Sequence, residues 1–153
     1  MVHNIIIREA NEDDLNVLLQ FEQGVISAER PYDPTLGKGK ITYYDLNEFL
    51  ISDDAKIVVA ESDSKLIACG YALKKKARHY LDHEFYSYLG FMYTHPDFRG
   101  QGVNGLIVDA LKKWSLSKGL TEIRLTVYDE NTPAIKAYEK MGFKKHIIEM
   151  RIS

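Results

Sequence analysis

The sequence predicts a single α/β domain, α+β mixed in character, built on a central mixed and mostly antiparallel sheet flanked by helices. Three observations carry that expectation. Strand-like stretches succeed one another through residues 56–94, separated by polar turns. The period then becomes helical: Val103, Leu106, Ile107, Ala110, Leu111 and Trp114 fall on one face. A strand, a capped helix and a last strand follow, so a βαβ crossover succeeds the hairpins. At 153 residues the chain suits one domain, residues 1–153, with a sizeable core.

Taken in order, Ile5–Glu9 reads as a first strand. Asn11 or Asp13 can cap a helix running to about Ile26, whose stripe of Leu15, Leu18, Leu19, Val25 and Ile26 is interrupted by Glu22. Residues 30–40 hold Pro31, Pro34, Gly37 and Gly39 and form a loop. Residues 41–52 read as a second helix rich in aromatics. Strands follow over 56–61, 66–74 and 85–94. The amphipathic helix from about Gly102 ends at Gly119. A strand over 121–127 leads to a helix capped by Asn131 with Pro133 in its first turn. Gly142 stops that helix, and 143–152 reads as a closing strand. The predicted order is β-α-α-β-β-β-α-β-α-β.

Composition narrows the function. Hydrophobic residues make up 45% and charged residues 27%, as in a globular protein, and the net charge of −2 argues against a nucleic-acid partner. The single cysteine, Cys69, excludes an internal disulfide and reads as a small core residue. The apolar run Ile5–Ile7 is too short for a signal-peptide core, and no run approaches a membrane span. A cytoplasmic protein with no membrane partner is expected. His79 and His83 lack a surrounding ligand cluster, so no metal is predicted. The basic run Lys74–Lys76 with Arg78 reads as a solvated strand end.

The segment His95-Pro96-Asp97-Phe98-Arg99-Gly100-Gln101-Gly102-Val103-Asn104-Gly105 joins a strand to the amphipathic helix. A helix start leaves backbone N–H groups unpaired and carries about half a positive charge. Glycines let an anion approach the backbone, so the junction suits a phosphate or pyrophosphate. Gly100, Gly102 and Gly105 also satisfy the dinucleotide pattern G-x-G-x-x-G. That reading fits poorly, because too little sequence remains for a doubly wound sheet. A Walker-type loop fails because no Lys-Ser/Thr pair follows the glycines.

These residues resemble the acetyl-CoA signature of the GNAT-type N-acetyltransferases, Gln/Arg-x-x-Gly-x-Gly/Ala, here Arg99-Gly100-Gln101-Gly102-Val103-Asn104, with Asn104 departing at the last position. A second motif of that family, Asn-x-x-Ala-x-x-x-Tyr-x-x-x-Gly-Phe, is matched in full spacing by Asn131, Ala134, Tyr138, Gly142 and Phe143. The resemblance implies a GNAT-like fold and acetyl-CoA as co-substrate. By position, Met92, Tyr93 and Thr94 would bind the pantetheine arm through their backbone. Residues Arg99, Gly100, Gln101, Gly102, Val103, Asn104 and Gly105 would hold the pyrophosphate, Asn131 would lie near the thioester, and Tyr138 would protonate the departing thiolate.

Such a transfer is attack by a neutral amine on a thioester. A tyrosine of pKa about 10 stays protonated at neutral pH and can donate to a thiolate whose acid has pKa about 8.5. The general base is open. Some family members carry a carboxylate five residues before the motif Asn, where this chain has Thr126. Glu22, Glu29 and Glu84 are substitutes, as is a water chain. Glu29, Arg30 and Asp33 in the loop after the first helix are candidates for binding the acceptor, a small-molecule or peptide amine. Loss of the usual base position and Asn104 keep a second reading, a non-catalytic acyl-CoA-binding regulator on the same fold. Exposed strands and aromatic helices are compatible with a homodimer.

Overall fold

The computed structural model describes residues 4–153. Its sheet has five strands in the order β1 (Ile5–Glu9), β2 (Ala55–Ser62), β3 (Lys65–Lys76), β4 (Phe85–Thr94) and β5 (Ile123–Leu125). The first four pair antiparallel, and β4 pairs parallel with β5. The β2–β3 turn uses left-handed backbone at Asp63 and Ser64, residue types that tolerate the conformation of a tight hairpin turn.

Both faces of the sheet are covered. On one side α3 (Val103–Ser117) buries Val103, Ile107, Val108 and Leu111 against Val58, Ala60, Ala68, Ala72 and Leu89, and α4 (Thr132–Lys140) adds Tyr138 at the margin. On the other, α1 (Leu15–Glu29) and α2 (Leu46–Ile51) bury Leu18, Phe21, Val25 and Leu46 against Ile57, Val59, Cys69, Tyr71 and Phe91. Alternate residues of β2 therefore serve opposite cores, as strand geometry requires. The buried stripe of α3 is rotated from the predicted one: Leu106 is exposed, while Val108 and Ser115 are buried. Ser115 is accommodated because its hydroxyl bonds the Leu111 carbonyl at 2.8 Å and the Ser87 hydroxyl at 2.6 Å.

Three expectations need correction. Residues 41–45 are not helical. The Tyr43 and Tyr44 N–H groups both donate to Glu22 Oε2, at 2.9 and 2.8 Å, so they are committed outside any helix. Helix α2 starts only at Leu46, where the Asp45 carboxylate caps it by accepting from the Glu48 N–H. The strand expected over 121–127 shrinks to Ile123–Leu125, because β4 leaves it after Leu89. The closing strand expected over 143–152 does not form: this segment has no regular secondary structure, is exposed from Lys144 onward and joins no strand among the described residues.

Candidate active site

The site originates in a parting of two strands. β4 and β5 pair only from Ser87 with Ile123 to Leu89 with Leu125. β4 then continues to Thr94 with β3 on one side and, among the described residues, no strand on the other. Just past the split, β3 advances from Tyr71 to Cys69 while β4 advances from Gly90 to Tyr93, so β4 carries an extra residue. Phe91 takes up this bulge with φ of 55°, a left-handed conformation that costs an ordinary residue about 1–3 kcal/mol. Bulges re-aim side chains and end pairing beside functional sites. The carbonyl of Phe91 is held by the buried Cys69 thiol at 3.4 Å, and burial pushes that thiol's pKa up. The edge of β4 that faces away from β3 over residues 92–94 is thus joined by no strand among the described residues.

The chain turns from this edge directly into the glycine segment. Pro96–Phe98 form a 3-10 turn, with His95 Nδ1 accepting from the Asp97 N–H at 3.1 Å. Arg99 Nε donates to the Thr94 carbonyl at 2.9 Å and Gln101 Nε2 to the Asp97 carbonyl at 3.1 Å. These side chains shape the loop rather than leave it. Gly100 and Gly102 have φ of 75° and 82°, and a Cβ at either would meet no protein atom within 4 Å. The space beside them is open, and no side chain caps α3, whose N-cap is Gly102. The first N–H groups of α3, among them those of Val103, Asn104 and Gly105, face that space as an anion cradle. The residues present therefore fit a pyrophosphate, with the β4 edge leading away from it.

Tyr138 lies half-buried behind the cradle, its ring against Phe143 with centroids 5.9 Å apart. Burial raises its pKa, and the Asn104 side chain on its hydroxyl moderates the rise. Asn104, in the first turn of α3, therefore lies close to the Tyr138 hydroxyl on α4. Asn131 caps α4, its Oδ1 accepting from the Ala134 N–H at 3.4 Å.

The three candidate bases occupy different surroundings. Glu84 sits before β4, about 33 Å of extended chain from Thr94 at ~3.3 Å per residue, and is far from the cradle. Glu22 is fully buried and spends Oε2 on the Tyr43 and Tyr44 backbone, while its Oε1 has no partner. Glu29 ends α1 half-buried. Burial raises its pKa, the neighbouring Tyr43 hydroxyl opposes the rise, and the charge of Asp33 adds to it. Burial raises the pKa values of Tyr43, Tyr44, Tyr71, Tyr128 and Tyr138, and the charge of Glu29 adds a smaller rise to each.

Of the acceptor candidates, Arg30 is spent on its own loop, donating to the Gly37 carbonyl at 2.7 Å and to that of Gly39. Asp33 accepts from Thr35, from the Tyr128 hydroxyl at 3.0 Å and from Arg151 at 3.4 Å, and these partners hold its carboxyl below the usual range. The aromatic lining escaped the sequence reading. Tyr44 contacts Tyr71 and Phe91 at centroid distances of 5.2 and 4.9 Å, and Tyr32 stacks on Tyr128 at 6.0 Å. The buried Tyr43 hydroxyl lies beside Glu29 without a well-aligned hydrogen bond. Thr126 Oγ1 accepts from the Tyr88 hydroxyl at 2.8 Å, which ties the usual base position into this wall. The one available signal was the density of tyrosines in residues 32–44 and 71–93. Among the described residues, no helix is long and apolar enough to cross a membrane.

An uncapped helix start, a strand edge joined by no strand and a half-buried tyrosine lie together on one α/β domain. A sequence profile of the acetyltransferase (GNAT) family matches residues 23–143, and the chain belongs to that family. Acetyltransferase SG1711 of Sodalis glossinidius is 28% identical over 116 residues, 75% of this chain and 70% of that protein. The thialysine N-epsilon-acetyltransferase of Sus scrofa is 26% identical over 147 residues, 91% and 84% of the two chains. The crystal structure of a predicted acetyltransferase with acetyl-CoA from Clostridium acetobutylicum shares the fold, with a TM-score of 0.74 at 19% identity over 98% and 96% of the chains.

Proposed function

We propose that this protein is an acetyl-CoA-dependent N-acetyltransferase acting on a primary amine, with Tyr138 as general acid and Glu29 as general base. The observation that carries the reading is the parting of β4 from β5 at Leu89, which opens the β4 edge directly into the uncapped start of α3. The relatives that are acetyltransferases, and the neighbour holding acetyl-CoA, support the co-substrate.

The residues divide the work. The N–H groups of Val103, Asn104 and Gly105 hold a pyrophosphate, and the free edge at Met92–Thr94 holds the arm that follows it. When bound, acetyl-CoA supplies the thioester whose acyl carbon the amine attacks, and its sulfur leaves with the bonding pair. The Tyr138 hydroxyl, kept protonated by burial, donates its proton to that sulfur. Glu29 accepts the proton that the attacking nitrogen must lose. Its raised pKa makes it a better base than an ordinary carboxylate, and its charge draws a cationic amine to the tyrosine-lined space.

Release of free thiol from acetyl-CoA across a panel of lysine-like amines, polyamines, amino sugars and peptide N-termini tests this. The expected result is turnover with at least one amine. Acetyl-CoA binding without turnover on any amine would instead favour the regulator.

A further inference from the structure

We propose that Lys75 and Arg124 bind a carboxylate of the acceptor; given the acetyl transfer proposed above, the substrate is then an amine with a carboxylate at its far end. Both side chains stand on the sheet face that carries the tyrosine-lined space. Along β3, Tyr71 and Leu73 pack with α1 and α2, and Lys75 follows them at the same period of two. On β5, Ile123 and Leu125 pack toward α3, so Arg124 between them points the other way. Tyr88 belongs to the α1 side as well, and Tyr86 shares its face. Lys74, by contrast, lies over Phe85 at 4.2 Å on the opposite face, so the basic run at the end of β3 is divided between the two sides of the sheet.

The four side chains interlock across three strands. Tyr86 is the β4 partner of Lys75, and Tyr88 is the partner of Arg124. Each cation leans past its partner onto the other ring. Lys75 Nζ lies over Tyr88 at 4.3 Å, and Arg124 Cζ lies over Tyr86 at 4.6 Å. Stacking of this kind holds two long cationic side chains in place on a half-open sheet face. Lys75 is exposed and makes no ion pair or hydrogen bond among the described residues. Arg124 Nε donates to Glu122 Oε1 at 3.1 Å, and its Nη2 lies 3.4 Å from His83 Nε2. Its Nη1 has no hydrogen-bond partner among the described residues.

Position relates this pair to the reaction. The row of Tyr88 and Arg124 is the one before Leu89 and Leu125, where β4 and β5 part. The Tyr88 hydroxyl reaches Thr126 Oγ1, past the parting, at 2.8 Å. Arg124 therefore stands only two residues, about 7 Å of strand, back from Thr126. Charge selects the occupant. Lys75 and Arg124 face one carboxylate, Glu122, while His83 is paired with Asp82 at 2.8 Å. One positive charge is left over, which matches a carboxylate better than the nearly double charge of a phosphate monoester. The Lys75 ammonium supplies a point charge and Arg124 Nη1 a directed donor. The tyrosine rings between them and the parting give an apolar floor to the methylene chain of such an amine.

Thiol release from acetyl-CoA with ε-aminocaproate, with its neutral amide and with an aminoalkyl phosphate of the same length tests the assignment. The wild type should favour the acid over the amide by at least ~10-fold in kcat/KM, through KM, and less so as salt rises. Lys75→Met, which keeps an apolar stem on Tyr88, and Arg124→Gln should each cut that preference to ~3-fold or less. Lys75→Glu should reverse it. A wild type that treats acid and amide alike would overturn the subsite. So would a preference that survives Lys75→Glu, or a phosphate favoured ~10-fold over the acid. Calorimetric titration of the acid and the amide into the wild type and into Lys75→Glu makes the same comparison without turnover. Failure of every amine to react would therefore count against the acetyltransferase reading alone, whereas no preference in binding would overturn the subsite itself.

Discussion

At the scale of single residues, Glu29 matters most to the proposed mechanism, because the burial that would suit it to accept a proton works against the folded state. Its folded pKa lies above the unfolded value. The contribution is therefore least unfavourable at low pH, and stability is lost as pH rises and the buried carboxyl ionises. Glu29→Gln should abolish the acidic limb of the kcat/KM profile, the fall in rate as pH drops through the raised carboxyl pKa. It should also leave the melting temperature at pH 7 unchanged or higher, as thermal unfolding would report. A variant that kept the limb would move the base elsewhere. The sequence left the base among Glu22, Glu29, Glu84 and a water chain. It could not separate them, because the distinction is tertiary: Glu22 is captured by the backbone of Tyr43 and Tyr44, and Glu84 lies at the wrong end of β4.

At the scale of elements, the start of α3 is the part most legible in sequence. Its glycines, helical stripe and position after a strand all act locally, and the structure places an uncapped helix at the predicted residue. Gly102→Val should raise KM for acetyl-CoA by occupying the cradle, and should cost about 1–2 kcal/mol for a side chain at positive φ. Acetyl-CoA titration and urea unfolding would read the two effects separately. Elements set by distant partners were not legible. Residues 41–45 have helical composition, yet a glutamate from α1 takes their N–H groups. The short β5 follows from the divergence of β4, which no local pattern encodes. The closing segment has a strand's alternation but no strand beside it within the described residues.

At the scale of the whole molecule, two cores on opposite faces of one sheet must be kept in register, and β1 is joined to α1 by a compact ion network. Arg8 donates two bonds of 2.8 Å to Asp14 and one of 2.7 Å to Glu61, and Asp14 also accepts from the Asn11 N–H. The Arg8 guanidinium holds the Asp14 carboxyl below its usual range. The folded pKa is depressed, so this stabilisation is present above the ordinary carboxyl pKa and is lost as pH falls through the lower folded value. Asp14→Asn should cost about 1.5–3 kcal/mol at pH 7, the range for hydrogen bonds to charged groups. It should also flatten the loss of stability in acid, measured by denaturant titration across pH.

In the proposed mechanism the β4 edge, the start of α3 and Tyr138 act together beyond the point where β4 leaves β5. The most direct measurement of that claim is thiol release by the wild type and by Tyr138→Phe with the best amine of the panel, beside acetyl-CoA affinity for both. The account predicts a fall in kcat of ~10²-fold or more for Tyr138→Phe, with affinity unchanged. An equal kcat for the two proteins at every pH would contradict it.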